Sequence, residues 1–226
     1  MELTEAIEKR HSVRAYTDER IEDEAREELE RLIEACNRES GLHMQPVWDE
    51  PEAFDGWMAH YGKFSGVRNY VAIVGKRGAQ WEEKCGYYGE EVVLRAQQLG
   101  LNSCWVAMTY SKGKARFEVR ENEKLCLVIA LGYGKTQGTE HRSKRPEDVM
   151  RAGGAVPAWF QEGIRLALLA PTAMNQQKFT FALEGDTVRA KAGLGFYSRI
   201  DLGIAKCHFE IGAKKESFVW AKDGIK

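Results

Sequence analysis

Arg10-His11-Ser12-Val13-Arg14 sets two guanidinium groups, an imidazole and a hydroxyl within five residues, directly after a short helix candidate at 3–9. Guanidinium groups pair their N–H donors with phosphate oxygens and stay charged, so the cluster suits an anion clamp. It suits equally the end of a helix, where cations offset the dipole and face water. Ala170-Pro171-Thr172-Ala173-Met174-Asn175-Gln176-Gln177-Lys178-Phe179 crowds a hydroxyl and three amides into a turn that a proline starts. Amides present donor and acceptor side by side, which matches the edge of a heteroaromatic ring; the same residues also make an ordinary turn that satisfies its own backbone. His141-Arg142-Ser143-Lys144-Arg145-Pro146-Glu147-Asp148-Val149 reads as a second phosphate contact or as a solvated charge run. Gly89-Glu90-Glu91 through Gly100-Leu101-Asn102-Ser103-Cys104-Trp105-Val106 reads as core architecture: a packed helix, a glycine cap and a buried strand.

Those clusters need elements to position them. Thr4 can cap the 3–9 helix. Ile21, Ala25, Leu29, Leu32, Ile33 and Cys36 fall at steps of three and four, one helical stripe with charge opposite. Residues 37–65 read as irregular, a lid or a covered loop carrying Trp48, Phe54, Trp57, Tyr61 and Phe64. Strands are predicted at 70–74, 103–107 and 125–131, and a helix at 89–99 that Gly100 ends. Gly153-Gly154 marks a hinge before a helix at 160–170. Strands at 179–183 and 187–192 flank Glu184-Gly185-Asp186 as a hairpin, and a helix at 200–215 precedes a strand at 218–220. The interleaving predicts an α+β fold in a single domain over 1–226. A weak internal echo would divide it at 1–152 and 153–226: Arg31-Leu32-Ile33 leads through a loop to Gln45-Pro46-Val47-Trp48, and Arg165-Leu166-Ala167 leads into Pro171-Thr172-Ala173-Met174-Asn175-Gln176-Gln177-Lys178-Phe179, though helix-loop-strand units are common and chance similarity accounts for the echo at least as well as duplication.

The chain has 226 residues, with Lys+Arg 33 against Asp+Glu 34, a formal net charge of -1. That balance argues against a nucleic-acid footprint and a polybasic membrane surface. No run approaches the ~20 apolar residues that span a bilayer, and the acidic Met-Glu-Leu-Thr-Glu start is unlike a secretory leader. A cytoplasmic location is therefore expected. Five cysteines without C-x-x-C spacing and five histidines without a paired motif favour neither a disulfide framework nor a metal site.

The order of the segments is more specific than any one of them. R-H-S-V-R, a helix leading into G-L-N-S-C-W-V, a strand ending L-G-Y-G and the basic K-R-P-E-D-V resemble the FMN-dependent nitroreductase family over roughly residues 3–150 and 160–220. A-P-T-A-M-N-Q-Q-K-F is similar to that family's A-P-S-x-x-N-x-Q-P-W loop. One departure stands out. In most members that loop follows the second helix, where this chain has Asn37-Arg38-Glu39-Ser40-Gly41, whereas here it comes after Gly153-Gly154. A subgroup with a rearranged or duplicated layout fits better, and leaves open which subunit supplies the loop.

The resemblance implies a nitroreductase-like α+β fold with a central mixed sheet, a homodimer, and FMN at the subunit interface. Arg10, His11, Ser12 and Arg14 would then hold the phosphate, ribityl and pyrimidine end. Arg142 and Lys144 would meet the phosphate, with the register among Arg142, Lys144 and Arg145 open. Pro171, Thr172, Ala173, Asn175 and Gln177 would pack on the ring, and the backbone N–H groups of Trp105, Val106 and Ala107 would approach flavin N5. No nucleophile-base pair or carboxylate dyad is present, as expected where the flavin carries the chemistry and the protein binds, orients and tunes it. The implied activity is an NAD(P)H oxidoreductase acting by ping-pong on small electron-poor acceptors such as nitroaromatics or quinones. The alternatives are an FMN-binding sensor or carrier without turnover, or a flavin enzyme of another reaction such as reductive dehalogenation.

Overall fold

A computed structural model describes residues 1–221. The unbroken apolar run Tyr70-Val71-Ala72-Ile73-Val74 makes β2 (Asn69–Lys76) apolar on both faces, so it must lie in the middle of something. It is flanked by β1 (His43–Val47) and β4 (Glu123–Gly132), and β4 in turn by β3 (Asn102–Val106), all antiparallel, in the order β1-β2-β4-β3. One face of this sheet packs Val71, Ile73 and Ile129 against α2 (Asp23–Ser40) and α4 (Trp81–Gln98) through Leu29, Ile33, Val92 and Val93. The other face packs Tyr70, Val74 and Val128 against Phe54, Phe64 and Tyr110 from the surrounding loops.

A second sheet follows. The short α5 (Pro146–Val149) leads into β5 (Met150–Ala152), then α6 (Ala158–Ala167), β6 (Phe179–Glu184) and β7 (Thr187–Ala192). After α7 (Ser198–Ala213) comes β8 (Val219–Trp220), giving the order β5-β6-β7-β8. The β6–β7 hairpin turns at Gly185, whose φ of 65° suits glycine. The outer pairs are parallel. The fold is α+β as expected, with its strands shared between two sheets. A parallel bridge from Ser12 to Ser103 lays the R-H-S-V-R segment along the β3 edge of the first sheet. None of the helices among the described residues is long and apolar enough to cross a membrane.

Several boundaries differ from the sequence reading, for physical reasons. The segment 37–65 is not irregular: it holds the end of α2, all of β1, a 3₁₀ turn at Glu52–Phe54 and α3 (Trp57–Tyr61). β1 was hidden by Pro46, which is tolerated because β1 is an edge strand. Phe54 and Phe64 are core residues, while Trp57 and Tyr61 are exposed. α4 begins at Trp81 rather than at 89 and carries Gly86 and Gly89 in its interior. A Cβ at Gly86 would strike the Ile200 carbonyl of α7, and one at Gly89 would sit 2.5 Å from the Trp105 ring. Close approach outweighs the roughly 1 kcal/mol helix penalty of a glycine. α1 (Leu3–Lys9) starts with Glu2 at its N-cap, so Thr4 lies within the helix and does not cap it.

Candidate functional site

The segments that the sequence set apart by some 160 residues come together. A cavity of about 280 Å³ is walled on one side by Ser12 and Arg14 and on the other by Pro171, Thr172 and Ala173. Trp105, Val106 and Ala107, at the end of β3, line its floor, and Tyr197, Ile200, Asp201 and Ile204 reach it from the first turns of α7. Arg14 is exposed, its guanidinium 5.9 Å from the Phe64 ring. Met108 and Met174 stand at the mouth, 68% and 82% exposed, an apolar rim on an otherwise wetted surface.

The bend 171–177 is held under strain. Met174, Asn175 and Gln177 all take positive φ, of 51°, 52° and 44°. Such residues cost about 1–3 kcal/mol each unless their surroundings fix them, and cluster at sites where shape matters. Here the surroundings do fix them. The buried Gln177 amide accepts from the Lys144 N–H at 2.8 Å and donates to the Arg142 carbonyl at 2.9 Å and to Asn175 Oδ1 at 2.7 Å. Lys144 Nζ donates to the Gln177 carbonyl at 2.9 Å, and the Gln177 N–H to Thr172 Oγ1 at 3.1 Å. Asp201 clamps the other flank, its carboxylate accepting from the Ala173 N–H at 2.9 Å and from Gln176 Nε2 at 2.6 Å. Burial pushes the Asp201 carboxyl up to about 6 despite both hydrogen bonds.

Asn175, Gln177, Arg142 and Lys144 therefore meet one another rather than the cavity. They border a separate shallow recess with Arg145, and Lys144 is spent on bracing the bend.

Arg10 is also placed differently from the expectation. Its side chain is 3% exposed, with Nε 3.8 Å from Glu90 Oε1 and without a hydrogen-bond partner. Burial lowers its pKa, and the Glu90 charge partly offsets that. Glu90, fully buried, accepts from Trp105 Nε1 at 2.9 Å and lies 2.9 Å from His208 Nε2; His208 Nδ1 lies 3.1 Å from the Leu166 carbonyl. Both ring nitrogens of His208 thus face acceptors. The cluster stands behind the cavity wall and fixes the tryptophan that forms it. His11 is half-buried and outside the wall, its pKa lowered by burial first and by Arg10 second. Neither side chain lines the cavity; Arg10 turns toward buried Glu90, a partner 80 positions away of which a helix-end arginine carries no sequence sign.

Sequence reasoning put Phe64 only in a lid or covered loop, and missed Tyr197, Ile200, Ile204 and Asp201. An aspartate in a first helical turn looks like a dipole partner, and only the fold aims this one at the bend.

Among the described residues the cavity is apolar, edged by one guanidinium and a strained, amide-braced bend, and its one lining carboxylate is tied to Ala173 and Gln176. It lacks the hydrogen-bonded nucleophile and base of an acyl-transfer site. The chain belongs to the nitroreductase family: the model of the family described as "Putative TM nitroreductase" matches residues 2–213. Among solved structures, a "putative nitroreductase" of Thermotoga maritima is 19% identical with a TM-score of 0.67, covering 96% of this chain and 85% of its own. A "Putative NADH dehydrogenase/NAD(P)H nitroreductase" of Parabacteroides distasonis is 21% identical with a TM-score of 0.51, covering 65% and 95%. A "putative nitroreductase" of Desulfovibrio desulfuricans, solved with FMN, is 17% identical with a TM-score of 0.49, covering 66% and 95%. No curated protein matches the chain.

Proposed function

We propose that this protein is an FMN-dependent oxidoreductase that takes hydride from NAD(P)H and delivers it to small electron-poor acceptors such as nitroaromatics or quinones. The convergence of Ser12 and Arg14 with Pro171–Ala173 over the Trp105–Ala107 floor supports this reading best. The cavity volume, about 280 Å³, lies just under the ~300 Å³ at which ligand pockets usually begin. It suits the ring portion of a flavin, with the phosphate tail outside. Bound FMN supplies a two-electron carrier that accepts and returns hydride.

The residues divide the remaining work. Trp105, Val106 and Ala107 offer a wall of apolar surface and backbone N–H groups, held in place by the Glu90 bond to the indole. Pro171, Thr172 and Ala173 close the opposite side. Arg14 is the cation at the edge of the cavity, placed to favour negative charge on a reduced ring. The phosphate end falls to the basic segment, with the exposed Arg142 as its contact, since Lys144 is engaged by Gln177 and Arg10 by Glu90.

The test is the colour and kinetics of the purified protein. Released chromophore should be FMN, and anaerobic stopped-flow mixing with NADH or NADPH should bleach the bound flavin, with colour returning on addition of a quinone. Flavin that stays oxidised would leave only a binding role. A colourless protein that refuses added FMN would end the proposal.

A further inference from the structure

α4 and α7 start at residues 81 and 198, and the strands after them, β3 and β8, start at 102 and 219: the same separation of 117 residues. The resemblance extends backward. Helix α2, strand β1 and its antiparallel partner β2 precede α4, just as α6, β6 and its antiparallel partner β7 precede α7. β8 runs parallel to β7, and β3 runs parallel to β2 with β4 inserted between them.

The contact between α4 and α7 is reciprocal. A Cβ on Gly86 would strike the Ile200 carbonyl and lie 3.0 Å from the Ile204 nitrogen. A Cβ on Gly203 would strike the Glu83 carbonyl and lie 2.8 Å from the Tyr87 nitrogen. Gly86 and Gly203, Glu83 and Ile200, and Tyr87 and Ile204 are each 117 apart. Residue i meeting j′ while i′ meets j is the signature of a two-fold interface between like units.

The clefts at the two ends of this seam correspond as well. Tyr197, Ile200, Asp201 and Ile204 line the candidate site; Gln80, Glu83, Lys84 and Tyr87, at the same separation, line a second cleft of about 230 Å³. Gly89 lies beneath the Trp105 ring, and its counterpart Lys206 holds its ammonium 4.5 Å from the ring of Trp220, which is 115 rather than 117 residues after Trp105. Even the basic arm has a counterpart, since Arg10-His11-Ser12-Val13-Arg14 matches His141-Arg142-Ser143-Lys144-Arg145 in its serine, its closing arginine and its two basic leaders.

We propose that residues 10–132 and 141–220 are two copies of one unit, packed on each other as the subunits of a symmetric dimer pack, so that a single chain completes one flavin site without a partner. The flavin count rests on the reading under "Proposed function"; the fused pair does not. The second cleft is closed to a ring. Lys206 donates to Glu83 at 2.5 Å and Tyr87 to Glu210 at 2.6 Å across it. The counterpart basic arm does not line it, because residues 142–144 brace the 171–177 bend of the other site.

Native mass spectrometry and sedimentation velocity on the full chain with added FMN, over a wide concentration range, test this. A 25.6 kDa species carrying one FMN that it keeps on dilution is expected. A species of twice that mass with two flavins, or flavin lost as a dimer dissociates, overturns the proposal. A monomer that refuses FMN ends the flavin reading while its mass still supports the fused pair. Matched Gly86→Ala and Gly203→Ala variants supply an independent measurement. Both should melt several degrees below the parent, and a loss at one with none at the other overturns the two-fold seam.

Discussion

The two clefts at the α4–α7 seam are built from equivalent elements and have opposite characters. One is lined by Ile200, Ile204 and a tryptophan lying over glycine, with its single carboxylate tied into the loop that closes it. The other is crossed by the Lys206–Glu83 ion pair and the Tyr87–Glu210 hydrogen bond, with a lysine where the first has Gly89. The same backbone thus yields an apolar slot or a self-satisfied polar network, depending on a handful of side chains. A cleft that pairs its own charges has no unmet demand for a ligand. One that leaves apolar wall and a lone guanidinium exposed does.

The sharpest contrast is between Glu90 and its counterpart Cys207, both buried in the seam. Glu90 satisfies Trp105 and His208 and is the counter-charge for Arg10. Glu90→Ala strands a buried cation, and we expect a loss of about 3–5 kcal/mol in urea unfolding together with release of any flavin as Trp105 loosens. Cys207→Ala removes only a small apolar group and should cost about 1 kcal/mol. Equal losses at the two positions would mean that the Glu90 cluster has no special place behind the site.

Asp201 carries the next largest effect. Its counterpart Lys84 donates to the Ser40 carbonyl at the close of α2, whereas Asp201 holds the strained bend. The folded protein keeps the Asp201 carboxyl up at about 6 against an ordinary 3.8, so the native state binds this proton more tightly than the unfolded chain. The contribution of this one group to stability is then fullest below about pH 4 and is lost as pH rises through about 6, by roughly 1–3 kcal/mol. Asp201→Asn removes that penalty. Its melting temperature should exceed the parent's at pH 8, with the advantage shrinking toward pH 4; an advantage that grows on acidification would refute the assignment.

How much of this was legible beforehand differs between backbone and site. The long apolar periodicities gave α2, β2, β4 and the β6–β7 hairpin close to their observed positions, because burial on a fixed period leaves a direct trace. β1, with Pro46 in it, and the first half of α4, with Gly86 in it, were not expected from the sequence. Those residues break elements on average and are tolerated here for an edge position and a close approach, neither of which is local information. At the site, the meeting of R-H-S-V-R with the A-P-T-A-M bend was expected from motif order. The division of labour within each motif was not. Arg10 and Arg14 are alike in sequence, and only Glu90 decides that one is buried. Asn175 and Gln177 look like ring contacts until the basic segment is seen to claim them. The reciprocal α4–α7 contacts had no counterpart in the sequence reading, since contact symmetry constrains geometry far more than residue identity.

Arg14 distinguishes the clefts in a third way, because the second has no cation aimed at its mouth from a preceding arm. Arg14→Gln keeps the side-chain length and some hydrogen bonding while removing the charge. The potential of bound FMN should shift negative and reduction by NAD(P)H should slow roughly tenfold, equivalent to ~1.4 kcal/mol in the barrier. Stability should barely move, since the guanidinium is exposed. An unchanged potential in a variant that still holds FMN would remove Arg14 from the tuning role.

The smallest effect belongs to the closed cleft. Lys206→Met keeps the alkyl stem over Trp220 and removes the charge facing Glu83. That pair is partly exposed, at 21% and 29% of the side chains, so its loss should cost no more than about 1 kcal/mol. The flavin content, potential and reduction rate should be those of the parent, because nothing in that network reaches the first cavity except through the packed backbones of α4 and α7. A variant that became more apolar here and took up a second FMN would mean that the polar network alone holds the second site shut. A variant that lost its only flavin would mean that the two clefts are coupled through the seam, and that their separation of roles is incomplete.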